Sequence, residues 1–289
     1  MTGAQEFRHH AVSAGLDESG RGNIMKLLNI GTLIRAIIPS AVKIPLKRLL
    51  GLPLTRLNTD WSILSPIGPV YRPHVVLDVG ARHGWFFHCW QDWCPEAEIH
   101  AFEPVQESFD KAMQLYGSHP LVRINQAGIG SSEGSLNIKI FEKSGASNSF
   151  LPLRKETWDE VQFETGSVTE RAVPVTTIDA YMGKESLQAV YLLKIDVQGY
   201  ELKVLEGAEA TLPRIDHIFV ETGIVPFYEG APRFTDIYQF LSQRGFHLMA
   251  MQAWHRGNHK LMETDMLFRR DDLLPPIDER VGKVMERLG

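Results

Sequence analysis

The 289-residue chain has a net charge of −5, a hydrophobic fraction of 44% and two cysteines. This length suits one large α/β domain with an appendage, and the acidic balance excludes a global basic field that would draw the protein to nucleic acid. There is no run of 18 apolar residues to span a membrane, no signal-peptide core and no Cys/His cluster of zinc type.

Residues 1–22 read as a disordered leader. Residues 23–70 read as a basic, apolar helical extension. Within it, positions 23–57 carry Lys26, Arg35, Lys43, Lys47, Arg48 and Arg56 and no acid, with Ile, Leu and Val at roughly helical spacing broken by Pro39, Pro45 and Pro53. Such a stretch can lie on an anionic membrane or against a partner. Packing on the catalytic domain or a second copy of the chain is the simpler expectation. Cys89 and Cys94, flanked by tryptophans in a predicted helix, suit reduced packing residues of a cytoplasmic protein, membrane-peripheral if 23–57 touches lipid.

From residue 74 strands and helices alternate. Strands are predicted at 74–79, 98–102, 121–126, 190–196 and 216–222. Helices are predicted at 84–94, 105–117, from 200 to 212, and from 232 to 245, where Gly245 closes the last. GSLNIKIFE (134–142) and AVPVTTI (172–178) alternate like strands, and the polar segment 143–171 between them reads as a partly looped lid. FHLMAMQA (246–253) and ETDMLFRR (263–270) read as a closing hairpin, followed by a helical tail at 273–289. The alternation implies a doubly wound, mostly parallel sheet over 71–272 with right-handed crossovers. Such sheets bind ligands at the carboxyl ends of their strands.

VVLDVGARHG (75–84) centres the reading. A buried strand ends in the carboxylate of Asp78, and a glycine turn at Gly80 and Gly84 opens a helix. The spacing is not the G-x-G-x-x-G of dinucleotide enzymes, nor is there the Lys-Ser/Thr ending of a phosphate loop. Glu103 ends the next strand, IHAFEP, 25 residues after Asp78, near the spacing of a ribose-binding acid. Either acid alone suits a helix N-cap; together they favour a nucleoside-bearing cofactor. Asp196 ends the strand of KIDVQGYE, and a carboxylate ending an apolar strand needs a partner. It can hold an amine, orient a hydroxyl or act as a base. Glu201 reads as a helix-start residue. Of the histidines, His83 is best placed, in the glycine loop. His88, His100 and His119 suit helix, strand and turn, and His255 and His259 suit a solvated hairpin. Asn148 and Ser149 suit either a lid that reaches a cofactor or polar substrate or a plain surface loop, and Phe227 and Tyr228 in VPFYEGAP suit either a wall for a sugar or other ring or packing on the sheet.

The ordered set DVGARHG, IHAFEP, INQAGIGSSEG, VTTIDAY, LLKIDVQGYELKVLEGA and IFVET resembles the FkbM-type methyltransferases over roughly residues 72–270. The resemblance implies a Rossmann-like class I methyltransferase fold, with seven strands of which the last is antiparallel, and S-adenosylmethionine (SAM) as cofactor. It assigns Asp78, Gly80, Ala81 and Gly84 to the methionine portion, Glu103 to the ribose hydroxyls, and Asn125, Gln126 and Ala127 to the adenine side. It puts Asp196 at the methyl-transfer end and Glu221 facing substrate. Arg82, followed by His83, departs from the Asn common in that family after D-x-G-A.

The expected reaction is O-methylation of a saccharide, glycolipid or secondary-metabolite hydroxyl, with Asp196 as base and Glu221 as helper. No dedicated ligand set indicates a divalent metal, although the two carboxylates are compatible with one. The rivals are an inert SAM- or nucleoside-binding interaction module and a nicotinamide-dependent oxidoreductase, the latter disfavoured by the glycine spacing. A nucleic-acid partner is not expected.

Overall fold

The computed structural model describes residues 59–160, 166–256 and 260–273, so the readings for the leader, the 23–57 segment and the 274–289 tail lie outside the described residues. Ten strands follow in chain order. They are β1 (His74–Val79), β2 (Ala97–Phe102), β3 (Val122–Asn125), β4 (Gly128–Ile129), β5 (Gly134–Phe141), β6 (Val168–Thr176), β7 (Val190–Ile195), β8 (Ile215–Gly223), β9 (Phe246–Arg256) and β10 (Lys260–Arg270). Seven form one sheet in the order β3-β2-β1-β7-β8-β10-β9, and β4, β6 and β5 form a small second sheet. The first five strands of the large sheet are mutually parallel, and β10 runs antiparallel to both β8 and β9. This is the Rossmann-like arrangement expected, with its last strand inserted against the others.

Side chains alternate across the sheet and feed two cores. Leu77, Val79, Phe102 and Ile195 face one layer, packed with α4 (Ile178–Lys184), α5 (Glu201–Glu206) and α6 (Phe234–Ser242). Val76, Ile99, Leu192 and Phe219 face the other. There they meet Phe86, Phe87, Trp90 and Trp93 of α1 (Trp85–Trp93), together with Ile63, Leu64 and Ile67 of a 3₁₀ segment, Thr59–Ile67. Apolar surface covered on both sides explains why these strands read as near-continuous apolar runs. α2 (Gln106–Tyr116) follows β2, and α3 (Lys155–Glu160) lies in the insertion between β5 and β6.

Two local expectations change. AVPVTTI (172–178), read as alternating like a strand, ends β6 at Thr176 and gives its last residue to the start of α4. Thr177 Oγ1 accepts the Ala180 amide at 3.0 Å, a side-chain cap that terminates the strand. Within 143–171 the described residues hold a 3₁₀ turn, α3 and the first residues of β6 among irregular stretches. The helix expected over 200–212 stops at Glu206. Gly207 packs so closely on Gly130 that a Cβ there would sit 2.0 Å from its carbonyl oxygen. Among the described residues no helix is long and apolar enough to cross a membrane.

At the amino ends of the strands His217 is buried. Its Nδ1–H donates to Tyr191 O at 3.1 Å, and its Nε2 accepts from Arg269 Nε at 3.0 Å. Protonating Nε2 would break the second bond and set two cations face to face. Burial already pushes this imidazole down to about 4. The unfolded chain therefore binds the proton first. The stabilisation is full above about pH 6.5 and is lost as pH falls toward 4. Denaturant titrations at pH 7 and pH 5 are expected to differ by on the order of 2 kcal/mol from this residue. A His217→Gln variant, whose amide oxygen keeps an acceptor for Arg269, should flatten the dependence.

Candidate active site

The carboxyl ends of β1, β2, β7 and β8 border a cavity of about 270 Å³, roofed by residues 144–150 of the insertion. The turn after β1 is shaped by backbone contacts. The amides of Gly80 and Ala81 donate to Phe102 O at 3.1 and 3.0 Å, and Asp196 N donates to Val79 O at 3.0 Å. Gly80 has φ +84, and a Cβ on it would lie 1.8 Å from Asp196 O, so no other residue fits between the two strand ends. Gly84, also at positive φ, starts α1 where a Cβ would strike the Phe87 ring at 2.2 Å.

Glu103 lies on the cavity wall. Its Oε2 accepts the Arg82 amide and its Oε1 the Val105 amide, both at 2.8 Å. Each oxygen keeps acceptor capacity for a further donor. Burial raises this carboxyl to about 7, against the pull of the two amides. Arg82 is exposed and takes φ +51, a left-handed turn that aims its amide at Glu103.

Asp78 lies behind the wall. It is fully buried, opposite Lys194 in the β1–β7 register, with Oδ1 3.1 Å from Lys194 Nζ. Lys194 Nζ also donates to Gly80 O at 3.0 Å and lies 3.5 Å from Asp196 Oδ2. Burial alone would strip this ammonium of its proton, but Asp78 and Asp196 outweigh it and hold it charged. One buried cation thus ties the first glycine turn to two strand-end acids.

Asp196 and Glu221 both line the cavity. Between them stands Gln198, whose Nε2 donates to Asp196 Oδ1 at 3.0 Å and lies 3.5 Å from Glu221 Oε1. Asp196, then burial, pushes the Glu221 carboxyl well above the usual carboxylate range. Asp265, opposite Glu221 in the β8–β10 register, and Glu263 add to the effect. Glu201 opens α5, as read from the sequence, and is buried. It accepts the Gly199 amide at 2.8 Å, and burial lifts it to about 7.

Of the positions singled out in the sequence, Gly80, Glu103, Ala127, Asp196 and Glu221 share the cavity wall, with Asn148 and Ser149 on its roof. Asp78, Ala81 and Gly84 support the turn from behind. Asn125 turns inward, donating to Ala101 O at 3.1 Å and to Tyr181 Oη at 3.2 Å, while exposed Gln126 donates to Gln106 Oε1 at 2.7 Å. His83 is outside the lining. Sequence reasoning passed over Lys194, Gln198 and Glu263. The strained V-Q-G turn after a strand-end acid was the available signal for Gln198. Among the described residues no group of three or more His, Cys, Asp or Glu is arranged to hold a metal ion.

The family model described as "Methyltransferase FkbM domain" matches residues 78–248, more than half of the chain. The chain belongs to the FkbM methyltransferase family. The chain is similar to "Methyltransferase sdnD" of Sordaria araneosa, 27% identical over 200 residues that cover 62% of this chain and 75% of that protein. It is 28% identical over 200 residues to "31-O-demethyl-FK506 methyltransferase FkbM" of Streptomyces tacrolimicus, covering 62% of this chain and 74% of that one. It is 24% identical over 206 residues to "2-O-methyltransferase NoeI" of Sinorhizobium fredii (strain NBRC 101917 / NGR234), covering 69% and 80%. The matched span of this FkbM-family methyltransferase runs from Asp78 to the start of β9, taking in the cavity-wall acids Glu103, Asp196 and Glu221.

Proposed function

We propose that this methyltransferase uses SAM to methylate a hydroxyl on a saccharide, glycolipid or secondary metabolite. The observation that carries the reading is the cavity itself. A doubly anchored carboxylate, Glu103, stands at one end, and a pair of acids, Asp196 and Glu221, at the other. The names of two relatives specify methyl transfer to oxygen, which supports the same class here.

The residues fit the cofactor. Glu103 offers two fixed acceptor oxygens to a ribose diol. Gly80 and Gly128 let the wall pack closely, since a Cβ on Gly128 would lie 2.6 Å from the Phe150 ring. When bound, SAM supplies an electrophilic methyl on a sulfonium. The chain supplies orientation and a place for the proton. Asp196 Oδ1 accepts from Gln198 and Oδ2 faces Lys194 Nζ at 3.5 Å, and a carboxylate so held keeps a lone pair to accept the hydroxyl proton. Asp196, then burial, pushes the Glu221 carboxyl well above its usual range, which favours Glu221 as the proton-carrying member of the pair.

Calorimetry with SAM, and NAD as comparison, tests the cofactor. SAM is expected to bind at micromolar Kd and NAD not to bind. Glu103→Ala should weaken SAM by about 1.5–3 kcal/mol, the size of hydrogen bonds to a charged group. Affinity indifferent to Glu103 would sink the assignment and favour an inert module.

A further inference from the structure

We infer that Gln198 is a positioning residue that holds Asp196 for methyl transfer, and that Tyr228 ties it to the roof of the cavity. The inference rests on the proposed cofactor reading and deepens it. Gln198 takes φ +57, a left-handed conformation uncommon for a residue with a long side chain. Such strain persists where the surroundings over-determine it. Here they do. Ser149 Oγ donates to Gln198 O at 2.6 Å, and Gln198 Nε2 donates to Asp196 Oδ1 at 3.0 Å. On the other side Tyr228 Oη lies 3.1 Å from Gln198 Oε1 and 2.9 Å from Ser147 O.

The orientation of the amide follows from chemistry. A carboxylate oxygen accepts, so Asp196 Oδ1 meets the NH₂ group, and Oε1 then faces Tyr228. The single phenolic hydrogen is shared by Gln198 Oε1 and the roof carbonyl of Ser147. Roof, tyrosine, amide and acid thus form one chain of contacts. The roof is fastened to the same loop elsewhere. Arg154 N and Trp158 Nε1 both donate to Phe227 O at 2.8 Å, and Thr157 Oγ1 donates to Pro226 O at 2.9 Å. Without the amide, Asp196 would be free to swing toward Lys194 Nζ, 3.5 Å from its Oδ2.

The test needs no acceptor. Sinefungin carries an ammonium where SAM carries its transferable methyl, whereas S-adenosylhomocysteine carries nothing there. The ratio of their affinities therefore reads the acids at the methyl-transfer end. Gln198→Gly removes the amide at a backbone conformation glycine adopts freely, so the variant should fold. It is expected to lower the preference for sinefungin about tenfold, as for one hydrogen bond to a charged group, with S-adenosylhomocysteine affinity within about twofold. The pH at which the preference appears should shift as well. Tyr228→Phe, a second variant, should lower the preference about threefold. Asp196→Asn should abolish it. A preference lost in Asp196→Asn but intact in both other variants overturns the role of Gln198. A preference intact in Asp196→Asn overturns the position of the acid. Failure of the unaltered protein to bind S-adenosylhomocysteine overturns the cofactor reading, and the inference with it.

Discussion

Replacing Lys194 by methionine is expected to destabilise the protein by about 3–5 kcal/mol, the cost of breaking one side of a buried ion pair. Methionine matches the lysine stem in volume, so packing against the Phe86 ring, 5.7 Å from Nζ, is largely kept. What is lost is charge. Asp78 is fully buried and has Lys194 as its ion-pair partner at 3.1 Å, and the Gly80 carbonyl accepts from the same ammonium. Without it Asp78 must take up a proton or leave the core. The destabilisation should therefore be smallest below about pH 4, the ordinary aspartate range, and grow as pH rises above it. The double variant Lys194→Met with Asp78→Asn separates charge from shape. It should recover much of the loss, because no uncompensated ion then remains buried. Denaturant midpoints of the two single variants and the double variant at pH 7 decide the point. Equal losses in Lys194→Met and the double variant would show that packing, not charge, was removed.

That pair also marks where sequence reading stops. The strand-end acids Asp78, Glu103, Asp196 and Glu221 were legible because an apolar run followed by a carboxylate and a turn has few readings in a parallel sheet. That Glu103, Asp196 and Glu221 share one rim followed from topology, while Asp78 lies behind it. Lys194 was not legible. In LLKID it reads as one charge in an apolar strand, and only the register that sets it opposite Asp78 gives it a partner. Asn125 ends β3, and Gln126 and Ala127 follow it. The neighbouring hydrogen-bond partners of Asn125 and Gln126, Tyr181 on α4 and Gln106 on α2, draw their side chains away from the cavity. The small sheet was half visible. β5 alternates clearly, but β4 is two residues long and has no pattern of its own. α4 was hidden because its capping threonine and first isoleucine continue the alternation of β6.

Asp196→Asn is expected to slow methyl transfer by roughly 10²–10⁴-fold, the range for loss of a general base, while SAM affinity changes less than about threefold. The asparagine keeps the shape and can still accept from Gln198 through its oxygen, so the geometry of the turn survives. It cannot take the acceptor's proton. Glu221→Gln tests the other half of the pair. Asp196 pushes the Glu221 carboxyl well above its usual range, and a glutamine amide donates as a protonated carboxyl does, so this variant should lose only about tenfold. The order of the two losses is therefore the informative quantity. It is read by single-turnover transfer of a labelled methyl from SAM to an acceptor hydroxyl, with enzyme in excess. A larger loss in Glu221→Gln would exchange the roles and make Glu221 the base, with Asp196 the group that sets its charge. Equal small losses in both would mean that neither carboxylate takes the proton. Proximity in the cavity would then carry the rate, and an acceptor oxygen already acidic enough to ionise would be the one to seek.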